Sequence, residues 1–332
     1  MKISIFGLGT WGTALAQVLI DNGHDVFCWT YDEGDANNVN LKHENTRYFP
    51  NIVLPSSLRV TTNIDEVVNF GEIFLLSVPT VAMRSILSKI KNSLNRQVTF
   101  LNTAKGFDPK EDITISNLIR EIIPSSLRGE PCSLLGPSHA EEVILRHITL
   151  ICAVSNDEDK ARIIQNIFSN DYFRVYTLKD EIGAEYQTAM KNAIALASGM
   201  IEGLKLGDNA RAALVTRGLV EIGLVASHFG AKKETLYGLT GIGDLMVTCY
   251  SYHSRNFEAG LKIGRDDDVK DFLKTNKKTV EGIRTVKVLH ELGERHRLRL
   301  PIIEALYQII YEGKKPSIIC RSLMLRPLKS ED

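Results

Sequence analysis

The opening stretch "KISIFGLGTWGTALAQVLIDNG", residues 2–23, decides the fold. The run KISIF reads as a strand, and the apolar spacing from Thr13 onward reads as a helix that ends at Gly23. Between them Gly7, Gly9 and Gly12 form a G-x-G-x-x-G pattern. At a strand-to-helix junction each glycine has a task. Gly7 permits the tight turn, Gly9 lets the backbone approach a pyrophosphate, and Gly12 lets helix and strand pack closely, while the helix N-terminus offers N–H groups and a positive dipole end to the anion. The motif predicts a dinucleotide site.

The chain continues as such a motif requires. Further β-rich runs, "HDVFCW" (24–29), "EIFLLSVP" (72–79), "QVTFLNTAKG" (97–106), "CSLLGPS" (132–138), "TLICAVS" (149–155) and "FRVYTL" (173–178), alternate with helical stretches, the pattern of a parallel α/β sheet. From Glu181 the texture changes. Apolar residues recur at helical spacing through "EYQTAMKNAIALASGMIEGL", "ALVTRGLVEIGLVASHF", "GIRTVKVLHELGERH" and "PIIEALYQIIYEG", with no strand pattern between them. The expected organisation is a Rossmann-like dinucleotide-binding domain over residues 1–180 and an all-helical domain over residues 181–332. No internal repeat interrupts it.

Composition narrows the function classes. With 332 residues, 44% of them apolar and 24% charged, the chain reads as a two-domain globular protein rather than a disordered or fibrous one. Forty basic and forty acidic residues cancel, so no global field favours nucleic acid or an anionic membrane. The five cysteines are scattered and contain no CxxC pair, which fits a reducing cytoplasm. Residues 3–20 carry no charge, but their three glycines and the lack of a cleavage site or stop-transfer flank argue against a signal peptide or membrane anchor. The histidines form no HxxxH or HExxH spacing, so no metal site is expected.

Asp32 stands twenty positions after Gly12, where an acid could bond a ribose 2′-OH. No Lys or Arg occurs between Lys2 and Lys42 to answer a 2′-phosphate at the end of the second strand, so the reading favours NADH over NADPH. One cation stands out in the helical half. Lys191 is the sole Lys or Arg between Glu181 and Leu204, in a run that otherwise reads as buried, and an ammonium group there is costly unless something uses it. Other candidate clusters stand at strand ends or helix starts: Lys105 in "NTAKGF", the "GPSHAEE" turn (136–142), Asp244 and Thr248 in "GIGDLMVTC", and Ser254, Arg255 and Asn256, a compact donor set suited to a phosphate.

Together these motifs resemble the soluble, bacterial-type NAD(P)-dependent glycerol-3-phosphate dehydrogenases. The resemblance runs almost from end to end, through "GLGTWGTALA", "NTAKGF", "GPSHAEE", "MKNAIALASGM", "GDNARAALVTRGL", "TGIGDLMVTC", "SRNFEAG" and "VEG" (280–282). It implies a fold like that of 6-phosphogluconate dehydrogenase and the reversible, NAD(P)H-dependent reduction of dihydroxyacetone phosphate to sn-glycerol 3-phosphate, the backbone precursor of phospholipids. By the same resemblance Lys191 is the general acid/base, Asp244 orients it with Thr248 nearby, and Lys105 contacts both substrate and cofactor. Arg255 and Asn256 would grip the substrate phosphate, with Ser254, Gly136 and Ser138 around it. Besides the three motif glycines, Thr10, Trp11, Tyr31, Ala140, Arg255, Thr279 and Glu281 fall at cofactor-contact positions. A homodimer with a small-molecule substrate is implied too. Two departures stand out: Tyr31 replaces the Arg or His of many members, which puts strong NADP preference in doubt, and "RHITL" (146–150) lacks the usual proline.

Two other classes fit the same plan. One is a dehydrogenase of a hydroxy acid such as 6-phosphogluconate or 3-hydroxyisobutyrate; the Ser254-Arg255-Asn256 cluster and the absence of a separate carboxylate-binding signature count against it. The other is a non-catalytic NAD sensor, against which the intact Lys191, Lys105 and Asp244 speak.

Overall fold

Phe6, Phe74 and Phe100 pack in a row across three neighbouring strands, tilted and edge-on, with ring centroids 5.2 and 5.6 Å apart. Ile3, Ile5, Leu75 and Leu101, from the same strands, pack into a second core on the opposite face. This alternation, apolar on both faces, is what a sheet covered by helices on each side requires. The computed structural model describes residues 1–276, 280–328, 330 and 331. The chain forms two compact units, Met1–Glu185 and Tyr186–Asp332.

The first unit runs β1 (Lys2–Phe6), α1 (Thr10–Asp21), β2 (Asp25–Trp29), α2 (Glu33–Lys42), β3 (Arg59–Thr61), α3 (Ile64–Phe70), β4 (Ile73–Leu76), α4 (Thr80–Ser93), β5 (Thr99–Asn102), α5 (Ile115–Ile122), β6 (Cys132–Leu135), α6 (Ala140–Val143), β7 (Thr149–Val154), α7 (Glu158–Phe168) and β8 (Phe173–Leu178). Its strand order is β3-β2-β1-β4-β5-β6-β7-β8. The first six strands are therefore arranged as in a Rossmann fold, with the switch point between β1 and β4, where such sheets hold their ligands.

Two details differ from the alternation read in the sequence. The three-residue strand β3 was not expected; "RVT" is too short to show a period, and only its pairing with β2 defines it. The sheet is also not wholly parallel, because β7 runs antiparallel to β6. The connection between them, residues 136–148, carries only the single turn α6 and not the longer helix of a parallel crossover.

The second unit is helical: α8 (Glu181–Gly203, whose opening turn belongs to the first unit), α9 (Asp208–His228), α10 (Asp244–Tyr250), α11 (Arg255–Asp266), α12 (Lys270–Thr275), α13 (Glu281–His296), α14 (Pro301–Ile310) and α15 (Pro316–Met324). Helix α8 is buried all round from Gln187 to Met200. Glycines spaced four apart make that possible. A Cβ on Gly199 or Gly203 would collide with the backbone of α11, and a Cβ on Gly260 or Gly264 with the backbone of α8, so the two helices cross backbone against backbone. Among the described residues no helix is long and apolar enough to cross a membrane.

Candidate active site

In the first unit, the turn after β1 is shaped by its glycines. Gly7 has φ +108°, and a Cβ there would stand 2.6 Å from the Ser77 carbonyl oxygen at the end of β4. A Cβ on Gly12 would collide with the Gly7 carbonyl, whereas one on Gly9 would meet nothing within 4 Å. Gly9 thus faces open space at the N-terminus of α1, which has no side-chain cap and no acid in its first turn. Trp11 keeps a buried indole Nε1 without a hydrogen-bond partner, and Thr10 is half-buried beside it. A polyanion carried between adenosine and nicotinamide fits this cradle of room, free amides and positive dipole.

Lys105 follows β5 and donates from Nζ to the Gly136 carbonyl at 2.9 Å and to Ser138 Oγ at 3.4 Å. Three expected substrate residues thus meet at the ends of β5 and β6, where Gly136 turns the chain with φ +145°. Ala140 is buried at the first position of α6. Tyr31 is 68% exposed just past β2. Asp32 is partly engaged: its Oδ1 caps α2 by accepting from Gly34 N at 2.8 Å and Asp35 N at 3.1 Å. Its Oδ2 faces Arg47 Nη1 at 3.3 Å, so a basic residue does reach the end of β2 from fifteen positions downstream.

In the second unit, Lys191 and Asp244 form a buried ion pair, with side chains 6% and 0% exposed. Lys191 Nζ also donates to Thr248 Oγ1 at 2.7 Å, and that hydroxyl donates in turn to the Asp244 carbonyl at 2.7 Å. Asp244 enters α10 from a π-helical turn, Leu239–Gly243, in which a Cβ on Gly241 would collide with the Leu236 carbonyl. The "TGIG" glycines therefore let the backbone fold tightly enough to present the carboxylate. Behind Asp244, burial pushes the Cys249 thiol up to about 12, which keeps it protonated and inert.

The phosphate-type cluster opens α11. Ser254 caps it by accepting from Phe257 N at 3.2 Å, Arg255 is exposed, and Asn256 is buried with Oδ1 accepting from Gly282 N at 2.8 Å. With Oδ1 so committed, the Asn256 amide turns its donor end outward from that bond. Gly282 also lies against Asn192: a Cβ on it would stand 2.5 Å from the Asn192 carbonyl oxygen. Asn192 Nδ2 donates to Glu281 Oε2 at 3.3 Å. Lys191 and Asn256 are therefore linked through Asn192 and the start of α13. Thr279 lies outside the described residues. Among those described, no group of three or more His, Cys, Asp or Glu could hold a metal ion.

The sequence reading missed Asn192, Arg47 and Glu185. Asn192 had a signal, a second polar side chain beside Lys191 in an apolar run. Glu185, buried near the start of α8, accepts from Ser116 Oγ at 2.8 Å and Ser133 Oγ at 3.0 Å, and burial holds its carboxyl above the usual range. No local pattern announces such partners, which come from α5 and β6.

Comparison with known proteins gives a consistent result over the whole chain. Residues 2–161 match the family model described as NAD-dependent glycerol-3-phosphate dehydrogenase N-terminus, and residues 180–321 match the model for its C-terminus. The glycerol-3-phosphate dehydrogenase [NAD(P)+] of Bacillus pumilus is 42% identical over 325 residues, covering 98% of this chain and 94% of the relative. That of Bacillus cereus strain G9842 is 44% identical over 330 residues, 99% and 97% of the two chains. Among solved structures, the glycerol-3-phosphate dehydrogenase of Coxiella burnetii is similar with a TM-score of 0.91 at 32% identity, covering 98% of each chain.

Proposed function

The chain belongs to the NAD-dependent glycerol-3-phosphate dehydrogenase family, and from that premise we propose that it reduces dihydroxyacetone phosphate reversibly to sn-glycerol 3-phosphate. The observation that carries the mechanism is the buried Lys191–Asp244–Thr248 cluster. Reduced nicotinamide, when bound, supplies the hydride that the ketone carbon accepts. The electron pair of the carbonyl then becomes an alkoxide, which needs a proton within hydrogen-bond reach. The Lys191 ammonium donates it, and in the oxidative direction the amine takes it back. Asp244 and Thr248 hold Nζ in place for that transfer.

Arg255 and the Asn256 amide bind the substrate phosphate, with Ser254 shaping the turn beneath them. Lys105, Gly136 and Ser138 are the substrate residues of the first unit. The cofactor lies on the Gly7-Gly9-Gly12 turn, with Thr10, Trp11, Tyr31, Ala140, Arg255, Thr279 and Glu281 as further contacts. Residues 1–180 act as the dinucleotide-binding domain and 181–332 as the substrate-binding and catalytic one. NADH is favoured over NADPH because the carboxylates of Asp32 and Asp35 stand at the end of β2 and oppose a further phosphate. The cytoplasm as workplace is supported by five free cysteines, and the homodimer by the family resemblance. Replacing Lys191 with Ala tests the central role. Turnover should fall by about 10²–10⁴-fold while NADH binding, followed by fluorescence, persists. Undiminished turnover would remove Lys191 from the mechanism.

A further inference from the structure

The loop between α2 and β3 is not a slack connection. Its ends are closed by Leu54 N donating to the His43 carbonyl at 2.7 Å, and Phe49 is buried beneath it. Asn45, also buried, donates from Nδ2 to the Leu8 carbonyl at 3.0 Å and to Thr13 Oγ1 at 2.9 Å. Leu8 lies inside the glycine turn and Thr13 in the first turns of α1. The loop is thereby pinned to the pyrophosphate cradle, and two residues beyond the pin stands Arg47.

The Arg47 guanidinium lies over the Tyr48 ring at 5.6 Å and faces Asp32 Oδ2 at 3.3 Å and Asp35 Oδ2 at 3.5 Å. Its side chain is 49% exposed, so the head group is open to an incoming anion. The end of β2 is where a Rossmann fold places the adenosine ribose, with an acid for a 2′-OH or an arginine for a 2′-phosphate. Both kinds of group are present here, and they hold each other. The Arg47–Asp32 pair is partly exposed and long, hence weak, and the contact with the less exposed Asp35 is longer still, whereas a phosphate dianion offers a guanidinium shorter, bidentate hydrogen bonds. The stronger acceptor should capture Arg47 from its two aspartates.

We propose that Arg47 is the specificity residue that admits the 2′-phosphate of NADPH, and that Asp32 and Asp35, by holding its guanidinium and opposing the phosphate charge, keep NADH competitive. The inference rests on the cofactor reading given above. It makes the NADH preference proposed above the outcome of a contest between one cation on the loop and two anions at the start of α2.

Direct binding to the full chain tests it without turnover. NADH and NADPH are titrated by fluorescence, and adenosine 2′,5′-bisphosphate competes against each. Arg47→Ala should weaken NADPH by about 10- to 100-fold, change NADH by less than about twofold, and abolish competition by the bisphosphate. Arg47→Lys should restore part of the NADPH affinity, because the charge remains and the fork is lost. Asp35→Asn should tighten NADPH alone. Equal loss of NADH and NADPH in Arg47→Ala, or undiminished NADPH binding, would overturn the assignment. Wild-type protein that binds neither dinucleotide would instead overturn the cofactor reading beneath it.

Discussion

Lys191 Nζ donates to Asp244 Oδ1 inside the second unit, where both side chains are almost wholly removed from solvent. The two residues are 53 positions apart and come from different helices. A buried pair of this kind is a costly way to stabilise a fold, since apolar residues of similar volume serve as well or better. Removing one partner is worse. Asp244→Ala leaves a buried ammonium without its carboxylate and should lower stability by about 3–5 kcal/mol. The double variant Lys191→Met/Asp244→Leu should recover most of that loss in chemical denaturation while remaining inactive. A double variant no more stable than Asp244→Ala would contradict this account of the pair.

Arg255 stands exposed at the start of α11, so its loss should leave the fold intact. Arg255→Ala should raise the KM for dihydroxyacetone phosphate by about 10- to 100-fold, the worth of a charge-assisted hydrogen bond. Initial-rate kinetics with an unchanged thermal transition would bear this out; an unchanged KM would place the phosphate elsewhere.

Two glycines should respond oppositely to the same added methyl group. At Gly260 the new Cβ collides with the Leu196 carbonyl and must push α11 off α8, lowering stability by about 3 kcal/mol or more and Tm by roughly 5–10 °C. At Gly9 it meets no protein atom within 4 Å, so the fold keeps its Tm, yet dinucleotide affinity falls because the methyl group occupies the approach to the pyrophosphate. Calorimetry and NADH titration of the two variants separate the effects.

Glu221 gives a pH-dependent stability. Buried on α9, it accepts from Ile302 N at 2.7 Å and Ile303 N at 3.3 Å at the start of α14, and burial outweighs those bonds to raise its carboxyl to about 7. A carboxyl raised on folding binds its proton more tightly in the native state, so its contribution is present below the unfolded value near 4.5 and is lost as pH rises through about 7. Relative to Glu221→Gln, the wild type should therefore lose about 3 kcal/mol between pH 4.5 and 7.5. Parallel denaturation curves with a pH-independent difference would contradict it.

What the sequence disclosed, and what it withheld, follows from range. The glycine turn, the strand runs and the burial of Lys191 rest on spacing within a few residues, and local pattern exposes them. The pairing of Lys191 with Asp244 came only through family resemblance, since nothing near either residue names the other. Arg47 shows the limit most clearly. A search for basic residues near the end of β2 stops at Lys42, yet a loop pinned by Asn45 brings Arg47 back to Asp32. The reversal of β7 was hidden for a similar reason: it shows in the pairing of β7 with β6, not in the composition of the strand.

The most direct test of the central claim is the loss of 340 nm absorbance when purified protein and NADH meet dihydroxyacetone phosphate, with unphosphorylated dihydroxyacetone in parallel. Consumption confined to the phosphorylated ketone is the expected result, and it would establish the reaction and the phosphate requirement together. Protein that binds NADH but consumes none with the phosphorylated ketone, or consumes it equally with both ketones, would contradict the account.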